Sequence, residues 1–391
     1  MPSSGSFAVD LSLYSQQLIE DTPYYISSSG DDDSGDGSSV SPWATPHKAM
    51  EVIRRIYLPD YITASIIVKD GEVDLSGQDD LSIVHPQGKQ IVLKGENKHS
   101  KSFTSVVSVS GSAGNYTVTF ACSDTSNVAV GDDYIVKSAS GGTNPEQTLG
   151  PHKVTGVSEN TSIEVLSKNL GTLQPSGAVS GSGVIIKSRL NFGANKLDLQ
   201  KSAITLEDIA FEGTSTVLKS QSGSVTFSDF ASRSSGIGID LVDSEAFGNI
   251  SAVGTTAGFR SWRSKGGDLS GSIFSSGSFG LIMQMGGLLR INNIFAVGNV
   301  NGVSADNGAV LIGNLPSAIG NTAKGFTIKN GSQGYLQLIA SKNNGTYGLS
   351  VENFSNAQIA SFYFVSGNGS GSFSPSLNTL GNNNSLISEV S

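Results

Sequence analysis

A glycine followed by an apolar residue recurs along the second half of the chain, at Gly236-Ile237, Gly258-Phe259, Gly280-Leu281, Gly302-Val303, Gly325-Phe326 and Gly348-Leu349. The sequence intervals are 22, 22, 22, 23 and 23. A fixed period of this size marks a solenoid, in which each repeat buries its apolar side against the next. Counted from each glycine, position +1 is always apolar, and position +3 reads Ile239, Ser261, Met283, Ala305, Ile328 and Val351. Strand side chains alternate between faces, so +1 and +3 are predicted to point inward and +2 and +4 outward. A second apolar set (Ile250, Ile273, Ile291, Leu336, Ile359) gives each coil at least one more strand. The repeat is too short for a helix plus a strand, and the L-x-x-L-x-L-x-x-N pattern of leucine-rich repeats is absent. A parallel β-helix is the expectation, with coils stacked ~4.8 Å apart and Asn and Gly at the corners.

Composition agrees with a thin repeated core. Only 15% of the 391 residues are charged, against roughly 25% in ordinary soluble domains, and 37% are hydrophobic with the 48 glycines left out of that count. The net charge of −9 is too small for the self-repulsion that keeps chains disordered. Scattered Lys and Arg give no footprint for nucleic acid. No stretch approaches the ~20 apolar residues of a membrane span, and the first residues lack the pattern of a secretory signal. The single cysteine, Cys122, forms no internal disulfide. His47, His85, His99 and His152 lack zinc spacing, so no metal and no cofactor are expected.

Five segments are predicted: a polar leader over 1–22, the opening of the solenoid with a capping helix over 23–100, an inserted β module over 101–187, regular coils over 188–366, and a Gly/Asn/Ser-rich tail or cap over 367–391. The helix is placed at about 46–58. Thr45 suits an N-cap and Pro46 the first turn, and Ala49, Met50, Ile53, Ile56 and Tyr57 follow at helical spacing. In the module, period-2 alternation at 116–120, 128–130, 134–136, 154–157 and 163–165 predicts a small antiparallel barrel or sandwich.

The text Tyr25-Ile26-Ser27, Gly30-Asp31 and Ser41-Pro42-Trp43-Ala44-Thr45, with Lys48-Ala49, resembles the opening of the right-handed parallel β-helix (pectate-lyase-like) proteins of bacteriophage tail spikes and tail fibres. Val130-Gly131-Asp132-Asp133-Tyr134 and Gly150-Pro151-His152-Lys153 resemble the small β module often inserted in such chains. The resemblance covers roughly 24–366. It implies a right-handed helix, a homotrimer, a virion location after synthesis in the host cytoplasm, a leader docked on a tail or capsid protein, and contact with host-surface polysaccharide. The superfamily holds lyases, glycosidases, esterases and inert shafts. The primary expectation is a structural virion appendage for host attachment. The alternatives are a spike enzyme cleaving polysaccharide by hydrolysis or elimination, and a non-phage carbohydrate-binding β-helix.

Two sets of residues are candidates for chemistry. Glu245, Asp268 and Arg290 follow one another at close to the glycine period, which predicts stacking on consecutive rungs. Two carboxylates at that spacing could split into acid and base; the plain alternative is a solvated charge ladder. Asp240, Arg260, Trp262, Asp306 and Lys329 form an outward stripe whose composition suits sugar binding, and suits a subunit interface better, with plain surface as the remaining alternative. The run Asp31-Asp32-Asp33-Ser34-Gly35-Asp36 reads as turn chemistry without the closing Glu of an EF-hand loop. Met283 to Leu289 is the most apolar rung and reads as core or trimer contact.

Overall fold

A computed structural model describes residues 14–168, 171, 173–274, 277–376 and 385–389. Its body is a parallel β-helix, as the period predicts, and right-handed, as the resemblance implies. One ladder of ten parallel strands runs from Leu81–Ile83 to Gly371–Ser374 in strict chain order once the module is passed. The other faces of the coils form an 18-stranded ladder that bends at the corners. Phe259, Leu281, Val303, Phe326 and Leu349 stack on successive rungs and are fully buried. Asp268, Arg290, Tyr335 and Gln358, on the second strand of their coils, face outward.

The glycine register holds from Gly258 onward and slips in the first coil. Ile239, not Ile237, stacks on Phe259, a shorter step than the glycines suggest. The cause is steric. A Cβ on Gly302 would lie 2.5 Å from the carbonyl oxygen of Gly325, and one on Gly238 would lie 2.6 Å from that of Gly258. The Gly-x-Gly at 236–238 offers two glycines to an even period, but Gly238 occupies the crowded corner.

The capping helix is shorter than predicted, Pro46–Ile53. Thr45 caps it with extended backbone, its hydroxyl accepting from the Lys48 amide at 3.4 Å, and Ala49, Met50 and Ile53 are buried. Ile56 and Tyr57 instead form a two-residue strand that pairs in parallel with Gln16 and Gln17, and Leu18 joins the core. The described part of the leader thus belongs to the cap of the β-helix; residues 1–13 lie outside the described residues. Asp32 ties the preceding loop to the helix by accepting from the amides of Ala44 and Thr45 and from the Thr45 hydroxyl.

Between Ile91–Gly95 and Ser188–Asn191 the chain leaves the solenoid and builds a seven-stranded antiparallel sheet, from Lys98–Phe103 to Ser180–Ile186. The coil then resumes as though uninterrupted, with Ser188 beside Gly71 and Thr205 beside Val92. Residues 128–130 form a turn rather than the predicted strand, because the Asp132 carboxylate accepts from the Ala129 amide and closes it. Ile273 and Val297 of the β-helix share an apolar cluster with module residues such as Phe103 and Phe120. Ile135, Val184 and Ile186 of the module meet Ala210 and Ala231 in a second seam.

His152 is buried inside the module. Its Nε2–H donates to the Thr148 carbonyl at 2.7 Å, while its Nδ1 has no partner. Burial pushes its pKa down to about 4, so the folded state holds the neutral ring. The unfolded chain binds the proton near pH 6.5, so this stability is present above that value and is lost as pH falls toward about 4. The loss is roughly 3 kcal/mol. Hydrogen exchange in the module strands at neutral and at acid pH measures it, and His152→Gln should remove most of the pH dependence there.

Candidate functional site

The outer face of the second-strand ladder carries an open groove of about 430 Å³. Its central column is Asp268, Arg290, Ile312, Tyr335 and Gln358, one residue per rung in hydrogen-bonded register. Beside it runs a column of amides, Asn292, Asn314 and Gln337, in which the Asn314 Nδ2 donates to the Asn292 Oδ1 at 3.3 Å. Inward neighbours Leu289, Ile291, Leu311 and Leu336 sit in the core and fix each strand, so alternation turns these polar side chains outward. Tyr335 is 40% exposed, and its hydroxyl donates to Gln333 at 3.0 Å. An exposed ring among amides, one carboxylate and one guanidinium can stack on the apolar face of a sugar and bond its hydroxyls.

Glu245 and Asp268 are not stacked. The register places Phe247 beside Asp268, and Ser224 beside Glu245. The two carboxylates are therefore offset by two residues along the face, a diagonal of ~7–8 Å between backbones, and Glu245 does not line the groove. The spacing in sequence misled because the coil containing Glu245 is shorter than the later ones. Asp268 and Arg290 do stack on consecutive rungs.

The outward stripe at 240–329 is mostly closed on itself. Arg260 donates to both oxygens of Asp240, at 2.8 and 2.6 Å, and Asp240 is buried. The hydrogen bond to Asp240 is the main reason the Arg260 pKa is raised. Asp306 is buried, accepts from Asn330 at 2.7 Å and pairs with Lys329 at 3.4 Å. Trp262 is half-buried, between Val242 and Gln284 of the neighbouring rungs. These residues form inter-rung ladders and leave few free polar groups for a ligand. Met283 faces the core, while Met285 is exposed at the corner.

A second charged cluster lies where the module meets the β-helix. Arg189 donates to Asp133 at 2.9 and 2.6 Å and to Glu72 at 2.9 Å, and Arg233 donates to Glu212 at 3.0 Å and pairs with Asp133. Glu72 and Glu212 approach the same Arg189 nitrogen, at 2.9 and 3.6 Å. Burial pushes the Glu72 pKa up, but hydrogen bonds from Arg189 and Asn191 outweigh it and hold the carboxyl below its ordinary value. A glycosidase needs one carboxyl that keeps its proton, and this environment favours the ion. The cluster fits a clamp between domains. Among the described residues no group of His, Cys, Asp and Glu is placed to hold a metal, and no helix is long and apolar enough to cross a membrane.

Sequence reasoning missed Asn292, Asn314, Tyr335, Gln337 and Gln358. Their signal was present: Asp268, Arg290, Ile312, Tyr335 and Gln358 recur at intervals of 22, 22, 23 and 23. They follow the same period as the glycines, on a different strand of the coil.

No protein-family model matches the chain, and no curated protein matches it by sequence. Among solved structures it is similar to the A-module of the mannuronan C-5 epimerase AlgE6 of Azotobacter vinelandii, with 10% identity and a TM-score of 0.35 over 84% of this chain and 91% of that one. It is also similar to a glycoside hydrolase, with 8% identity and a TM-score of 0.28 over 94% and 96% of the two chains. The tailspike protein gp49 of Pseudomonas phage LKA1 shares 10% identity and a TM-score of 0.24, over 79% and 75%. Likenesses this distant concern the β-helix fold alone.

Proposed function

We propose that the chain is a bacteriophage virion appendage, a tail fibre or tail spike, that attaches to host-surface polysaccharide through its outer groove. The observation that supports this reading best is the Tyr335 ring set among the Asn292, Asn314, Gln337 and Gln358 amides on consecutive rungs. A rigid solenoid holds such columns in place, so binding carries no cost for ordering backbone. The opening text around Tyr25–Thr45 supports the virion setting, a homotrimer and docking through the leader on a tail or capsid protein. Light scattering on the full chain should then give three times the monomer mass.

Tyr335→Ala should weaken polysaccharide binding about tenfold, as loss of an exposed aromatic anchor does. Binding is measured by fluorescence anisotropy of labelled capsular polysaccharide, and the polymer length by size exclusion in the same sample. Binding with no change in polymer length is the expected result. The free Asp268 carboxylate favours a second reading, cleavage of the bound polymer by hydrolysis or elimination. Shortened chains that disappear with Asp268→Asn would establish it.

A further inference from the structure

Arg290 is the one arginine of the described residues whose guanidinium makes no hydrogen bond or ion pair. Arg189, Arg233, Arg260 and Arg263 each hold a carboxylate of a neighbouring coil, Arg55 holds Glu51, and Arg54 donates to the Ser82 carbonyl. In this chain, then, arginines on the β-helix are neutralised in register, and the exception stands exposed in the open groove. Asp268 occupies the rung before it without forming an ion pair, Ile312 the rung after it, and Tyr335 the next. From Arg290 to Tyr335 is two rungs, about 10 Å along the axis.

We propose, resting on the groove reading above, that the ligand is an acidic polysaccharide whose repeat carries a carboxylate, and that the Arg290 fork grips that carboxylate. A guanidinium matches a carboxylate with two parallel N–H···O bonds. Asp268 repels a like charge on its own side, so the sugar carboxylate lies toward Ile312, and a sugar farther along the same chain stacks on Tyr335. The polymer therefore runs along the helix axis across several coils.

The test uses the full chain with three uronic-acid polymers, polygalacturonate, alginate and hyaluronate, each beside its carboxyl-reduced neutral counterpart of equal length. The wild type should bind at least one acidic polymer about tenfold or more tighter than its reduced form, the loss expected for a hydrogen-bonded charge. Arg290→Gln should erase that preference, weakening the acidic polymer about tenfold more than its reduced form, while Tyr335→Ala should weaken both forms by the same factor and leave the preference in place. A preference for the acidic polymer that survives Arg290→Gln, or equal binding of both forms by the wild type, would overturn the role of Arg290 and leave the groove reading standing. If the wild type binds no polymer of either kind, the groove reading itself falls.

Discussion

Asn321→Ala should lower the unfolding free energy of the β-helix by about 4 kcal/mol, summing the cost of several buried groups left unpaired. Asn299, Asn321, Asn344 and Asn368 stack inside one corner. Each of the first three donates its Nδ2–H to the next Oδ1, at 2.9, 2.8 and 2.9 Å. The same Oδ1 atoms accept the backbone amides of the preceding coils, at 3.0 to 3.1 Å. Asn321 also donates to the Ala296 carbonyl at 3.2 Å. Removing this side chain strips two donors on Asn299, the amide of the side chain and that of the backbone, of their shared acceptor in a site closed to water. Asn314→Ala, on the exposed face, should change stability by less than ~0.5 kcal/mol. Urea denaturation followed by circular dichroism compares the two. Equal midpoints would show that the buried ladder is not what holds the corner.

Asp133→Ala should cost about 3–5 kcal/mol, the penalty for leaving buried charge uncompensated. Asp133 is 1% exposed and bridges Arg189 and Arg233, themselves 4% and 7% exposed, across the boundary between module and β-helix. Without it the two guanidiniums keep only Glu72 and Glu212 as anionic partners, both at the more exposed side of the cluster, and Arg189 keeps its bond to the Gly131 carbonyl. Burial already pulls the Arg233 pKa down to about 10, so it stays charged at neutral pH and cannot relieve the loss by releasing its proton. The module should then loosen as a unit, read as faster proteolysis at the connections near residues 97 and 187. Adding Arg233→Met should restore part of the stability. Unchanged proteolysis would assign the docking to the apolar seams at Ile273 and Ala210 alone.

The period was legible because sterics enforce it. From Gly238 onward a position without room for a Cβ selects glycine, and a narrow core selects the apolar residue that follows it. What the period could not reveal was coil length. The first regular coils are shorter than the later ones, so an even period selects Gly236 where the fold uses Gly238, and it sets Glu245 beside Asp268. The Asn299, Asn321, Asn344 and Asn368 column repeats at intervals of 22, 23 and 24 and was readable in principle. Asparagine also marks turns, and the two uses look alike in a sequence. Spacing alone extends the capping helix too far because Ile56 and Tyr57 continue its pattern, while their strand pairing depends on Gln16 and Gln17, far earlier in the chain. The junction was not legible at all. Arg189 meets Asp133 across 56 residues, and no local pattern encodes such a contact. The groove was hidden for a different reason, since its polar residues belong to no motif and acquire meaning only as a column.

The claim that the groove is where polysaccharide attaches is tested most directly by hydroxyl-radical footprinting of the full chain, with and without a saturating polymer from the panel above. Tyr335 should be protected, while Tyr61, 81% exposed near the capped end, should react as before, and the polymer should keep its length. Unaltered reactivity of Tyr335 in the presence of bound polymer would contradict the account.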